Sequence, residues 1–201
     1  MRAVIIGNGD IENYEFIKSK IHNDDFIICA DGGIRHTDKL NIIPNIVIGD
    51  FDSSDTPDGI KKCVYPSDKD YTDGELAVSY ALEEGFDEVI MLAMTGKRLD
   101  HTITNIFQLT RDNRIRLIDD HNEIIALIDK LELRNKKGRT VSIIPVFGNL
   151  QGVSVTGMKY PLCNETLYFG EGRGNSNIII DDNCTISVNG GIGIVLINNG
   201  E

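Results

Sequence analysis

Phe26-Ile27-Ile28-Cys29-Ala30-Asp31-Gly32-Gly33 decides the fold class, because an unbroken apolar run ends there on one carboxylate and two glycines. A strand with one wet face alternates apolar and polar residues, whereas a strand covered on both faces stays apolar throughout. The same form recurs at residues 3–6, which lead into Gly7-Asn8-Gly9, at 46–48, which lead into Gly49-Asp50-Phe51-Asp52-Ser53, and at 88–92. Between these runs the spacing predicts a helix over 11–21, with Ile11, Tyr14, Ile17 and Ile21 on one stripe, and another over 72–84, closed by Gly85. Alternating strand and helix patterns predict an α/β N-terminal domain with a mostly parallel sheet and crossover helices.

Beyond residue 134 the rhythm changes. Val, Ile and Thr runs at 140–146, 152–155, 177–180, 185–188 and 192–197 are broken by Gly, Asn and Asp, with turns at Asp182-Asn183 and Asn189-Gly190-Gly191. This pattern predicts antiparallel strands and no helix, hence a smaller all-β C-terminal domain. The basic stretch Arg134-Asn135-Lys136-Lys137-Gly138-Arg139 is the expected hinge, dividing residues 1–134 from 135–201.

Composition narrows the partners. With 201 residues, 41% of them hydrophobic, a real core is expected. A net charge of −11 disfavours broad attraction to nucleic acid. No run approaches the roughly 20 apolar residues of a membrane span, so neither an anchor nor a secretory signal is expected. The cysteines, at 29, 63, 163 and 184, form no Cys-x-x-Cys pair, which argues against zinc or dithiol chemistry and for reduced thiols in the cytoplasm.

The chemistry concentrates at the expected strand ends, where open α/β sheets bind ligands. Gly7-Asn8-Gly9 reads either as a tight turn or as a loop whose N–H groups approach phosphate. Asp31 ahead of Gly32-Gly33 reads as a strand-end carboxylate beside a ligand, or equally as the N-cap of a short helix. In extended backbone Asp50 and Asp52 project to the same side, and two adjacent carboxylates repel unless a cation or proton intervenes. Mg²⁺ suits that place, because it takes a few carboxylates, waters and substrate phosphates; a solvated Asp/Ser turn is the plain alternative.

In Asp68-Lys69-Asp70-Tyr71-Thr72-Asp73-Gly74-Glu75, Thr72 and Glu75 match a capping box and Asp73 favours a helix N-terminus. Capping leaves Lys69 unexplained; it fits a phosphate contact or a surface ion pair. In Thr95-Gly96-Lys97-Arg98-Leu99-Asp100-His101-Thr102, Lys97 and Arg98 can pair with phosphate oxygens. Asp100 can orient Arg98, hold metal-bound water or cap the helix that carries Asn105. His101 is given no proton-transfer role.

Taken in order, Asp31-Gly32-Gly33, Gly49-Asp50-Phe51-Asp52-Ser53, Lys69-Asp70-Tyr71-Thr72-Asp73 with Glu75, and Arg98-Leu99-Asp100-His101 with Asn105 closely resemble the motif series of thiamine pyrophosphokinases. Gly157-Met158-Lys159-Tyr160-Pro161-Leu162 and Gly174-Asn175-Ser176-Asn177 resemble the family's signatures in its β domain. The resemblance implies a jelly-roll-like β-sandwich for the second domain, and a homodimer whose thiamine pocket lies between the α/β domain of one subunit and the β domain of the other.

It also implies transfer of pyrophosphate from ATP to the thiamine hydroxyl. Asp50, Asp52 and Asp73 would then hold Mg²⁺, supported by Asp31. Gly7, Asn8, Gly9, Lys69, Thr72, Arg98 and Asp100 would serve ATP, Asp31, Ser176 and Asn177 would serve thiamine, and Asp73 or Asp100 would accept the hydroxyl proton. Two departures stand out: Lys97 follows Gly96 where many relatives have a second glycine, and the chain has no Trp, with Ile178-Ile179-Ile180 after Ser176-Asn177. The rival readings are a metal-dependent nucleotide or phosphate-ester hydrolase and a noncatalytic thiamine or nucleotide sensor.

Overall fold

A computed structural model describes residues 1–50, 59–65 and 70–200. Strands dominate it and helices are few and short. The chain divides into two compact units, the first comprising residues 1–109 and 114–120, the second 110–113 and 121–201.

The first unit runs β1 (Arg2–Ile6), α1 (Tyr14–Lys18), β2 (Phe26–Ala30), a 3-10 turn (Asp31–His36), α2 (Thr37–Leu40), β3 (Ile46–Gly49), β4 (Lys61–Val64), α3 (Asp73–Glu83), β5 (Glu88–Leu92), α4 (Leu99–Gln108) and β6 (Ile115–Ile118). Its strands lie in the order β4-β3-β2-β1-β5-β6, every pair parallel. The apolar runs of β1, β2, β3 and β5 are almost wholly buried, as a sheet covered on both faces requires. On one face Val4, Ile6, Cys29, Val47, Ile90 and Leu92 pack with Ile17 and Leu40.

The chain lays β2, β3 and β4 successively to one side of β1, then crosses to place β5 on the other. Strand order reverses between β1 and β5, and in open α/β sheets the carboxyl ends of the strands at such a point are where a crevice forms.

Two helices test the reading of the sequence. Helix α3 follows the expected course, with Thr72 as N-cap and a complete capping box to Glu75. The expected helix over 11–21 is only α1, because the Glu12 and Asn13 N–H groups donate to the Asp120 carboxylate at 2.9 Å each and hold the chain outside helical geometry. Asn13 then caps Phe16, 3.0 Å away. Strands β4 and β6 carry no clear sequence signal; β4, Lys61-Lys62-Cys63-Val64, is a mostly exposed edge strand.

The second unit contains β7 (Asn122–Leu127), β8 (Lys130–Arg134), β9 (Thr140–Thr156), β10 (Leu162–Leu167), β11 (Asn177–Ile178), β12 (Asn183–Ser187) and β13 (Gly190–Asn198). All its strand pairs are antiparallel, in the order β7-β13-β9-β12-β8, with β10 and β11 also on β9. No α-helix occurs among its described residues. Its core gathers Leu127, Leu133, Val141, Ile143, Leu150, Val155, Ile186 and Val195.

Residues 140–146 and 152–155, expected as two strands, form the single strand β9. Phe147 and Gly152 adopt positive φ within it, of 59° and 65°, so the ribbon bends without ending. The basic stretch expected as hinge lies instead inside this unit, between β8 and β9, where Asn135 N–H donates to the Asp182 carbonyl at 3.1 Å. The units divide near Asp120 rather than at 134. Polarity and a glycine mark a turn there, and a turn inside a sheet has the same composition as a linker.

Candidate active site

The crevice at the strand reversal is a cleft of about 660 Å³. Each wall comes from a loop at a strand or helix end: Gly7, Asn8, Gly9 and Asp10 after β1, Asp31, Gly32 and Arg35 after β2, Asp50 after β3, Tyr71, Thr72 and Asp73 at the start of α3, and Ala93 to Arg98 after β5. His101, Thr102 and Asn105 of α4 complete it.

Of the residues expected at the site, Gly7, Asn8, Gly9, Asp31, Asp50, Thr72, Asp73 and Arg98 line this one cleft. Asp100 does not line it, but its carboxylate holds the guanidinium of Arg98 at 2.9 and 2.6 Å. Asp52 and Lys69 lie outside the described residues. Ser176 and Asn177 belong to the second unit.

Close backbone approach explains the glycines. A Cβ on Gly33 would lie 2.0 Å from the Ile6 carbonyl oxygen, so only glycine lets the turn after β2 cross the end of β1. A Cβ on Gly49 would meet the Asp31 Cβ at 2.8 Å, so glycine lets the end of β3 pass close to Asp31 just before Asp50. Asp31 takes φ 35°, a left-handed value that costs a non-glycine residue about 1–3 kcal/mol and persists at sites whose surroundings enforce it. Asp31 is the first residue of the 3-10 turn, and Ala30 holds the N-cap position. Ala93, at the end of β5, is held at φ 54° in the same way.

The β1 loop is not the open row of N–H donors that its glycines allow. Gly7, Gly9 and Asp10 donate to the carbonyls of Leu92, Ala93 and Thr95 at 2.9, 2.6 and 3.0 Å. Those three N–H groups therefore stitch the loop to the end of β5 instead of facing a ligand, and α1, one turn long and beginning at Tyr14, offers no helix end to phosphate. The loop contributes shape to the cleft floor.

Charges of both signs share the cleft. Asp10, Asp31, Asp50 and Asp73 supply hard oxygen ligands, and Lys97 and Arg98 supply cations for an anion, while the Arg35 guanidinium is bonded to the Asn8 and Gly9 carbonyls. The bidentate pair raises the Arg98 pKa and holds the Asp100 carboxyl far below the usual carboxylate range. Asn105, buried in α4, donates to the Met94 carbonyl at 2.8 Å and fixes the β5 loop from beneath.

Among the described residues, His22, Asp24 and Asp25 are the one group of three side chains already close enough to share a metal ion, and Asp25 there is taken by Arg2 at 2.8 and 2.6 Å. The cleft carboxylates stand further apart. That suits Mg²⁺, which keeps several waters and substrate oxygens rather than entering a closed protein cage.

Arg35, His36 and Tyr71 were not among the residues expected from sequence. His36 is 97% buried by virtue of a 3% exposure, and its ring bonds to Gly9 and Tyr14 at 2.9 and 2.7 Å. For Arg35 and His36 the signal was their place one turn beyond Asp31-Gly32-Gly33, and for Tyr71 its place directly before Thr72.

In the second unit, Ser176 has φ 58° and its N–H donates to the Ser142 hydroxyl at 3.1 Å. The buried Asn177 amide accepts from the Tyr160 and Ile178 N–H groups at 3.0 and 2.9 Å and donates to the Tyr160 carbonyl at 2.7 Å. This is a backbone clamp on the Gly157–Leu162 signature.

Residues 17–118 match the family profile described as thiamin pyrophosphokinase, catalytic domain, and residues 129–192 match that described as thiamin pyrophosphokinase, vitamin B1 binding domain. The thiamine pyrophosphokinase of Bacillus subtilis (strain 168) is 36% identical over 186 residues, covering 84% of this chain and 85% of its own length. Thiamin pyrophosphokinase 1 of Caenorhabditis elegans is 31% identical over 172 residues, covering 75% and 70%. The crystal structure of the thiamine pyrophosphokinase from Bacillus subtilis superposes with a TM-score of 0.89 at 26% identity over the whole of both chains. That of the Geobacillus thermodenitrificans protein gives 0.87 at 25%, covering 100% of this chain and 99% of its own. With both profiles matched in order, and a relative above 30% identity over most of its length, the chain belongs to the thiamine pyrophosphokinase family.

Proposed function

We propose that the protein transfers pyrophosphate from ATP to the hydroxyl of thiamine, giving thiamine diphosphate and AMP. One observation carries this reading: Asp31, Asp50 and Asp73, from three separate elements, line one cleft with Arg98 at the point where strand order reverses.

Asp31, Asp50 and Asp73 are the residues that would hold Mg²⁺, with Asp52 as a further ligand expected from sequence alone. When bound, the ion neutralises charge on the phosphate oxygens, the main demand of phosphoryl chemistry. Arg98, kept in place by Asp100, presents its guanidinium to the phosphates, and Lys97 adds a second positive charge. Thr72 accepts from the Glu75 N–H through its hydroxyl oxygen, which leaves the hydroxyl hydrogen to donate to a phosphate oxygen.

The thiamine hydroxyl attacks the β-phosphorus in line, its oxygen forming the new bond as the bond to the AMP oxygen breaks. The hydroxyl proton goes to Asp73. Asp73 lines the cleft, whereas Asp100 does not and is committed to Arg98 through both carboxylate oxygens.

The second unit is assigned to thiamine binding and dimerisation, as a β-sandwich whose Ser176 faces the vitamin across a homodimer. No helix of the described residues is long and apolar enough to cross a membrane. The four cysteines are free, which favours a reducing, cytoplasmic setting.

Incubating the purified protein with thiamine, ATP and Mg²⁺ and identifying the products by mass tests the proposal. AMP and thiamine diphosphate in equal amounts are expected, and neither without thiamine. Nucleotide breakdown independent of thiamine would make the protein a hydrolase. Tight thiamine binding without turnover would make it a sensor.

A further inference from the structure

The loop leaving β1 is held from two sides. Its N–H groups are bonded to the carbonyls at the end of β5, as described above. Its carbonyls are held by the turn after β2: Arg35 Nη2 donates to the Asn8 and Gly9 oxygens at 2.9 and 3.0 Å, and His36 Nε2 lies 2.9 Å from the Gly9 oxygen.

A carbonyl only accepts, so Nε2 carries the ring proton and Nδ1 has the lone pair, which receives the Tyr14 hydroxyl at 2.7 Å. Arg35 Nε, 3.3 Å from the protonated Nε2, makes no bond to it. The Lys39 ammonium lies 4.9 Å above the Tyr14 ring and closes the far end of the chain of contacts.

We propose that His36 and Arg35 are positioning residues of the transfer reaction: from the turn that begins at Asp31 they grip the Asn8 and Gly9 carbonyls and fix the loop joining the Asp31 side of the cleft to the Arg98 side. Three bonds converge on one peptide segment from residues only one turn beyond a cleft carboxylate. On its other side Gly9 packs tightly on the loop after β5, since a Cβ there would lie 2.1 Å from the Thr95 oxygen and 2.6 Å from the Ala93 oxygen. Loss of the grip lets the loop shift between its neighbours, and small displacements at a phosphoryl-transfer site are costly. Neither residue needs to touch a substrate for this.

The inference rests on the pyrophosphoryl-transfer reading, and the experiment separates the two. Wild-type protein is first assayed for thiamine-dependent AMP release, which tests that reading alone. His36→Leu then removes the donor to Gly9 at similar volume, and His36→Gln restores an N–H at the Nε2 reach. Expected for His36→Leu is an ATP KM raised about tenfold and a kcat lowered about tenfold, with the thiamine KM within about twofold of wild type. His36→Gln should recover most of that loss.

Arg35→Met, an exposed site that tolerates substitution, should raise the ATP KM in the same sense, and Tyr14→Phe by less; these two carry the test should His36→Leu fail to fold. ATP calorimetry without thiamine gives the same ranking independently of turnover. The inference is overturned by wild-type ATP KM and kcat in His36→Leu and Arg35→Met. It is equally overturned if Leu and Gln at 36 are impaired alike, with lowered melting temperature, while Arg35→Met is silent, for then His36 merely packs.

Discussion

The Gly49 backbone lies against Asp31 so closely that an added methyl group would stand 2.8 Å from the Asp31 Cβ and 3.2 Å from its Oδ1. Glycine at 49 thus sets how near the carboxylate after β2 stands to that after β3. Gly49→Ala should cost about 1–3 kcal/mol of stability by overpacking. It should also lower kcat by about tenfold or more, because the displaced group sits in the cleft. Thermal melts and steady-state kinetics check both; an unchanged kcat would show that the spacing of Asp31 and Asp50 does not matter for turnover.

Asp50→Asn and Asp73→Asn keep side-chain volume and remove charge. Each should reduce turnover by about a hundredfold or more while the fold survives, since the lost interaction belongs to the charged transition state. Asp73 also sits in the first turn of α3, where a carboxylate is worth about 0.3–1 kcal/mol, so a small loss of melting temperature is expected for that variant. AMP formation near the wild-type rate in Asp73→Asn would remove both its ligand and its proton-acceptor roles.

Arg98 owes its orientation to the fork-to-fork pair with Asp100, and both side chains are well exposed, at 71% and 63%. Screening makes such a pair a weak contributor to stability. Asp100→Asn and Arg98→Lys should therefore leave the melting temperature nearly unchanged and still lower kcat about tenfold, because neither keeps a bidentate fork. Equal kcat for Arg98→Lys and wild type would mean that a point charge suffices.

The parallel sheet and its site loops were legible because buried strands write themselves as apolar runs: residues 26–30 and 88–92 predict β2 and β5 directly. The cleft was legible in part for the same reason, since Asp31, Asp50 and Arg98 follow such runs. What escaped was tertiary. Nothing local in Ile11-Glu12-Asn13 announces that Asp120, more than 100 residues away in sequence, will hold its N–H groups and shorten α1. Nor do Gly7 and Gly9 reveal that their N–H groups are spent on Leu92 and Ala93. Asn177 is expected from the resemblance as a thiamine contact, and only the fold shows its amide bonded to the Tyr160 backbone.

That clamp makes Asn177 a stability residue. Asn177→Ala would strand the Tyr160 N–H and carbonyl groups, and should cost about 1–3 kcal/mol for each group left unsatisfied. Ser176→Ala leaves the backbone bond to Ser142 intact and should be nearly neutral for folding. Denaturant melts of the two variants distinguish them, and an Asn177→Ala midpoint equal to wild type would show that the clamp contributes nothing.

His36 gives the fold an acid limit. Burial is the largest influence on its ring and pushes the pKa below the usual histidine value, assisted by the positive charges of Arg35 and Lys39 and opposed by the Gly9 carbonyl and Asp10. Tyr14 faces Nδ1 but carries no charge in this range. The unfolded chain takes up a proton near the ordinary value of about 6.5, before the folded one does, so stability is complete above that pH and declines as pH falls toward the depressed folded value. His36→Gln cannot titrate there. Its urea midpoint should fall less than that of wild type between about pH 7.5 and about pH 5.5, the remaining decline in both proteins coming from carboxylates. Parallel declines would place a charged imidazole in the folded protein at the lower pH, with Tyr14 turned to accept from Nδ1.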